Sequence, residues 1–198
     1  MAAGPIQKFI VNDKNEIFVH KIVWTPPFAG PWKLNYVYAC NRTSRKSFVG
    51  CILRCQNADF KALYAGPVGQ DAGSSTDAAL MAMTCAIGLA ASQGGDSLEI
   101  EGENETMFSL VTGQIPPTNE ATRELVARCL QELHNLRRVV FRCVQPDANE
   151  AATLLAKMAM ETEETWFCVD NPPPEIAAIL DADVNGRYVP WVHLQSNM

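Results

Sequence analysis

No acidic side chain lies between Lys33 and Arg54, a stretch that begins KLNYVYAC, and three histidines are all the 198-residue chain holds. His20, His134 and His193 are scattered, none at metal-ligand spacing from another or from a cysteine, which argues against a zinc-type site. GxGxxG and GxxxxGK[ST] are both missing, so no phosphate-cradling loop is expected. No apolar run approaches the ~20 residues that cross a bilayer. The start, MAAGPIQKF, lacks the charged-then-apolar pattern of a secretory signal. The expected location is intracellular, cytoplasmic or nuclear, with no membrane partner. The two matches to the glycosylation pattern, Asn41-Arg-Thr43 and Asn104-Glu-Thr106, are then accidental. Seven cysteines form no CxxC pair and are expected reduced, as small buried hydrophobes. Base is also scarce: 16 Lys and Arg face 22 Asp and Glu, a net charge of −6. Proteins that hold a phosphate backbone gain affinity by releasing counterions from a basic surface, and the field of this chain opposes that approach. Arg42, Arg45 and Lys46, and then Arg137, Arg138 and Arg142, are the local exceptions. The first trio is the candidate nucleic-acid contact, although each cluster reads sooner as a solvated loop or strand end than as a binding patch.

Hydrophobic patterning organises the rest. Residues 6–12 and 16–23 are two β-rich runs around Asp13-Lys14-Asn15, a hairpin or extended arm. Thr25-Pro26-Pro27 interrupts pairing, because proline cannot donate to a ladder. Strands are expected at 33–40, 47–55 and 60–68, joined by loops short enough for an antiparallel meander. Ser74 and Asp77 resemble a capping box opening a helix that Gly94-Gly95 ends, with Leu80, Met83 and Ile87 facing a core. A strand at 98–101, helices at 104–112 and 120–136, a buried strand at 138–144 and a helix at 148–160 follow. This order implies an α/β fold, a mixed sheet with helices on its faces. The expected division is an N-terminal β-rich arm and proline-aromatic linker (1–30), a central domain (31–163) and a proline-containing tail (164–198).

Several segments carry a resemblance: Trp24-x-Pro26-Pro27, Trp32-Lys33-Leu34-Asn35, Ser75-Thr76-Asp77-Ala78-Ala79-Leu80, Glu99-Ile100-Glu101-Gly102-Glu103-Asn104, and the run from Asp147 to Ala156. In this order, from about Trp24 to Lys157, they resemble the ribonuclease H fold. They resemble in particular the retroelement-derived, reverse transcriptase-like domains abundant in plants. The resemblance implies a three-strand antiparallel meander continued by parallel strands. It also implies enzymes that cut the RNA strand of an RNA·DNA hybrid with two Mg²⁺ ions. Paired ions need carboxylates between and around them.

Carried over by the resemblance, those four acid positions fall at Val37, Asp77, Glu103 and Thr153, and Cys143 stands where a histidine often assists turnover. The site therefore reads as degenerate, with no intact catalytic set. Asp77 and Glu103 remain as weak metal candidates, and Mg²⁺ would be the cofactor of any residual activity. Tyr38 replaces a glycine where a substrate backbone must come close. Three functions compete. The first is an inactive protein that binds a partner protein or forms a homodimer, through its arm or the segment Trp24, Pro26, Pro27, Phe28, Pro31 and Trp32. That segment reads equally as a cover for the domain's own sheet edge. The second is a non-cleaving hybrid- or nucleic-acid-binding module. The third is a residual nuclease drawing on Glu101 or Asp71, which otherwise read as solvated residues.

Overall fold

The two β-rich runs at the start pair as an antiparallel hairpin, β1 (Ala2–Asn12) with β2 (Asn15–Val23). The computed structural model describes residues 2–12, 15–27, 30, 32–41, 43–70 and 74–191. The meander follows as β3 (Trp32–Asn41), β4 (Lys46–Cys55) and β5 (Phe60–Gln70), each antiparallel to its neighbour. Next come α1 (Ser75–Ser92), β6 (Ser97–Gly102), α2 (Glu105–Val111), α3 (Glu120–His134) and β7 (Arg138–Cys143). A 3-10 turn (Pro146–Asn149) precedes α4 (Glu150–Thr162), and β8 (Trp166–Val169), α5 (Pro174–Asn185) and β9 (Arg187–Trp191) complete the order.

Two sheets result. The larger has the order β7-β6-β3-β4-β5-β8, with β6 parallel to both β3 and β7; the smaller is β1-β2-β9. The central strand β4 is buried from Ser47 to Arg54, since helices cover both faces and successive side chains point to opposite ones. On one face Leu34, Tyr36, Val49, Cys51 and Leu53 pack under α1; on the other Phe48, Ile52 and Leu63 pack under α4 and α5. By length and composition α1 could cross a membrane, yet Leu80, Met83 and Ile87 are fully buried on the sheet. Burying such side chains contributes about 1.5–3 kcal/mol each. On the opposite face α4 sits directly on β4. A Cβ on Gly50 would lie 2.3 Å from the Ala152 carbonyl oxygen, so only glycine admits this contact. That seat brings the N-terminal turn of α4 over β3.

Three expectations change. Residues 164–191, expected within a proline-containing tail, form regular elements: β8 adds a sixth strand beside β5, and β9 pairs with β2. A four-residue strand between acidic and proline-rich flanks carries too short a pattern to be recognised. Strand 138–144 is not buried: β7 is a sheet edge whose residues are half-buried or exposed. The Trp24 segment turns inward, with Trp24 9% exposed over Lys33 and Arg54, and Trp32 against the α1 core. It covers the chain's own sheet; Phe28 and Pro31 lie outside the described residues. All seven cysteines are free, but only Cys51 and Cys129 are fully buried, while Cys40 and Cys143 are exposed.

Candidate functional site

The parallel pairing of β3 with β6 sets Lys33 opposite Glu99 and Asn35 opposite Glu101. Side chains two apart share a face, so Val37 continues the first row within β3 and Glu103 continues the second just past the end of β6. There they line a small cleft of about 40 Å³ together with Tyr36, Tyr38, Ala79 and Asn104. On the scale of about 10–15 Å³ for one water, that is room for a few solvent molecules.

Glu103 is the one carboxylate among the described residues that line this cleft. Its Oε1 accepts from Asn149 Nδ2 at 3.2 Å and from Thr153 Oγ1 at 3.5 Å. Burial pushes its pKa above the ordinary carboxylate value, and these two hydrogen bonds only partly oppose that. Thr153 thus joins Val37 and Glu103, as the resemblance implies, and Asn149 joins them unforeseen. The Asn149 amide also donates to the Tyr36 carbonyl oxygen at 3.0 Å instead of capping α4. Burial raises the Tyr36 phenol far above its usual range, so it stays protonated. Cys143 is exposed, its thiol pushed up by burial first and then by Glu105 and Glu103.

Asp77 is placed elsewhere. Ser74 Oγ accepts from the Asp77 amide at 3.1 Å, as the capping pattern predicts, while its carboxylate accepts from Thr122 Oγ1 of α3 at 2.9 Å. The α1 residue that lines the cleft is Ala79. A signal for this existed, because Ala79, Met83 and Ile87 form one i, i+4, i+8 stripe facing the sheet. Asp77 and Glu103 therefore do not form a shared pair of ligands.

Glu101 is also corrected. It is not solvated but 0% exposed, receiving Lys33 Nζ at 2.6 Å and Asn35 Nδ2 at 2.9 Å. Burial raises its pKa, but positive charge beside it, Lys33 foremost, brings the net direction down. Lys33 also meets Glu99 at 2.9 Å, and the Trp24 ring covers both Lys33 Nζ and the Arg54 guanidinium. Arg54 donates to Asn35 Oδ1 and to Asp183 of α5, each at 3.2 Å. Burial lowers its pKa and Asp183 opposes the shift. Arg187 closes the system, bonding Asp183 at 3.0 Å and Glu150 at 2.6 Å.

A pair of divalent ions does not fit this donor set. Of the four positions the resemblance marks, Val37 offers no ligand atom, Thr153 offers a hydroxyl, and Asp77 is turned to Thr122. Among the described residues no group of three or more His, Cys, Asp or Glu side chains is arranged to hold a metal. Asp71 and Arg42 lie outside the described residues. At the start of β4, Lys46 is ion-paired with Glu163.

Comparison with known proteins agrees with this architecture. A family model described as reverse transcriptase-like matches residues 35–159. The structure resembles ribonuclease H1 from the halophilic archaeon Halobacterium salinarum, with 21% identity and a TM-score of 0.62, over 67% of this chain and 99% of that one. It also resembles the N-terminal ribonuclease H domain of a Mycobacterium tuberculosis protein, with 13% identity and a TM-score of 0.59, over 65% and 98%. LC11 ribonuclease H1, solved in complex with an RNA/DNA hybrid, gives 13% identity and a TM-score of 0.59 over 66% and 97%. No curated protein matches the chain at a significant level. The family match spans β3 to α4 with the cleft between them, more than half of the chain: the chain belongs to the reverse transcriptase-like family and carries a ribonuclease H fold.

Proposed function

We propose that this chain is a ribonuclease H-fold protein that does not cleave nucleic acid and acts by contact with another protein. The observation that carries the reading is the composition of the cleft, where Val37, Ala79 and Thr153 surround one carboxylate, Glu103, of raised pKa. In-line attack on a phosphodiester needs ligands that gather two cations and align the attacking and leaving oxygens. A single carboxyl beside a valine supplies neither. The net charge of −6 and the Lys46–Glu163 pair support contact with protein rather than with a phosphate backbone.

The test is an RNA·DNA hybrid incubated with the full chain in Mg²⁺ and in Mn²⁺, beside Glu103→Gln. No cleavage above buffer is expected; cleavage that Glu103→Gln abolishes overturns the reading. Hybrid binding without cleavage is the second reading, favoured by the hybrid held in LC11 ribonuclease H1. It calls for saturable binding near 50 mM salt that weakens steeply as salt rises. Fluorescence anisotropy with a labelled hybrid decides between them, and the first reading expects none.

A further inference from the structure

Strand β8 lies wholly beyond residues 35–159, the region shared with the family, so its role is not inherited with the fold. It pairs with β5 on one side, and among the described residues no strand covers its other side. Trp166 and Cys168 pack against the core beneath α4 and α5. Phe167 and Val169, pointing the other way, are 59% and 38% exposed. The Asp170 amide donates to the Lys61 carbonyl oxygen of β5 at 3.4 Å. By the alternation of an antiparallel ladder, the Phe167 and Val169 amides then point away from β5, into the open edge. Protected edges carry lysine, proline or a bulge, and the run Trp-Phe-Cys-Val carries none.

The charges around the strand select its occupant. Residues 161–175 hold five acids, Glu161, Glu163, Glu164, Asp170 and Glu175, and no basic residue. Lys157 and Lys46 pair with the first two, leaving Glu164 and Asp170 as the acids that bracket the strand. A second copy is disfavoured by this arrangement. With Phe167 opposite its own equivalent, Glu164 of each copy would face Asp170 of the other, and facing like charges destabilise a sheet pair.

We propose that the open edge of β8 takes an extended segment of another protein, apolar or β-branched over Phe167 and Val169 and flanked by lysine or arginine. This mode is strand addition: main-chain hydrogen bonds supply affinity, alternate side chains supply specificity, and charge complementarity excludes wrong partners. The inference rests on the protein-contact reading above and gives it a surface and a partner chemistry.

The probe is a displayed library of random short peptides, selected on the full chain and counter-selected on Val169→Pro. That substitution removes an amide pointing outward, so β8 keeps its ladder to β5 and circular dichroism should match the parent. Enriched peptides are expected to alternate apolar residues between basic flanks. They should lose about tenfold in affinity on Val169→Pro, the worth of one or two hydrogen bonds. Phe167→Thr, which keeps every amide, should weaken the same peptides several-fold, and raised salt should do likewise. Enrichment that is equal on Val169→Pro, or that favours acidic flanks, overturns the proposal. So does a concentration-dependent dimer that Val169→Pro dissolves, which would make a second copy the occupant. Hybrid turnover, unaffected by Val169→Pro, would instead defeat the non-cleaving reading, so the two failures are distinguishable.

Discussion

One face of the β3–β6 pair holds two neighbouring regions of opposite character. At the buried end Lys33, Asn35, Glu99 and Glu101 join Arg54 and Asp183, each no more than 1% exposed and each engaged with another. At the cleft, one residue further along each row, Val37 faces Glu103 and Ala79 and Thr153 complete the wall. Three buried carboxylates are there balanced by Lys33, Arg54 and Arg187, whereas the solvent-facing Glu103 has no ion pair among the described residues. Charge on this face is therefore concentrated where it joins parts of the chain, while the cleft holds a single carboxylate. Asp183 and Arg187 belong to the C-terminal elements and Trp24 follows β2, so the buried region ties both ends of the chain to the larger sheet.

The largest effect should come from breaking that balance. Lys33→Met leaves Glu99 and Glu101 buried beside a lost cation and should cost about 3–5 kcal/mol, read by urea unfolding. The pH dependence has a definite sign. The Glu101 pKa is lowered in the folded state, so its contribution is present above the unfolded value and is lost as pH falls through the folded one. Acid unfolding of the parent should therefore steepen below about pH 4, the unfolded glutamate value, and Lys33→Met should flatten it. Next in size is the coupling between Arg54 and Asp183. A double-mutant cycle with Arg54→Met and Asp183→Asn should return about 2 kcal/mol, within the range for contacting buried pairs. A coupling near zero would mean the buried charges are independent and the two regions do not differ in kind.

Much of this architecture can be read before any coordinates. Strand alternation gives β3 to β5, the glycine pair ends α1 and the Ser74–Asp77 spacing is the observed cap. The site is legible only in part. Val37, Glu103 and Thr153 follow from order along the chain, since each is fixed by a neighbouring apolar pattern. Asp77 misleads because an acid near the expected place attracts assignment, although its capping position turns it from the sheet. The buried cluster is invisible because its contacts span 68 residues from Lys33 to Glu101, 114 from Asn35 to Asn149 and 129 from Arg54 to Asp183. No local period encodes such pairs, and a lysine or glutamate on a strand looks solvated until the covering elements are known. Strand β8 is hidden for the opposite reason, having too few residues to show a period.

Rebuilding the cleft would test the comparison from its other side. Val37→Asp, Ala79→Glu and Thr153→Asp together restore carboxylates at the positions that surround Glu103. This triple variant should bind Mg²⁺, and at ten times its Kd the ion should stabilise it by about 1.4 kcal/mol. For a chain of this size that is a rise in Tm of about 3–6 °C, absent from the parent. The same variant without added Mg²⁺ should melt below the parent, because four carboxylates then share one cleft. A parent that is stabilised by Mg²⁺ as much as the variant would mean that the existing cleft already holds the ion, and the contrast between the two regions would fall.

The smallest effect bears on Glu103 alone and has the opposite sign to Glu101. Its folded pKa is raised, so the folded state binds this proton more tightly than the unfolded chain does. The associated stability is fully present below the unfolded value and is lost as pH rises through the folded one. At neutral pH the ionised carboxyl is then a slight cost, discounted by its exposure to solvent. Glu103→Gln keeps an oxygen to accept from Asn149 and Thr153 and removes the charge. Its Tm should exceed the parent's by about 1 °C at pH 7. The two curves should converge as pH falls below about 4.3, where the parent carboxyl is also neutral. A variant less stable than the parent at pH 7 would show that the charge at the cleft is engaged by a cation, as it is at the buried end.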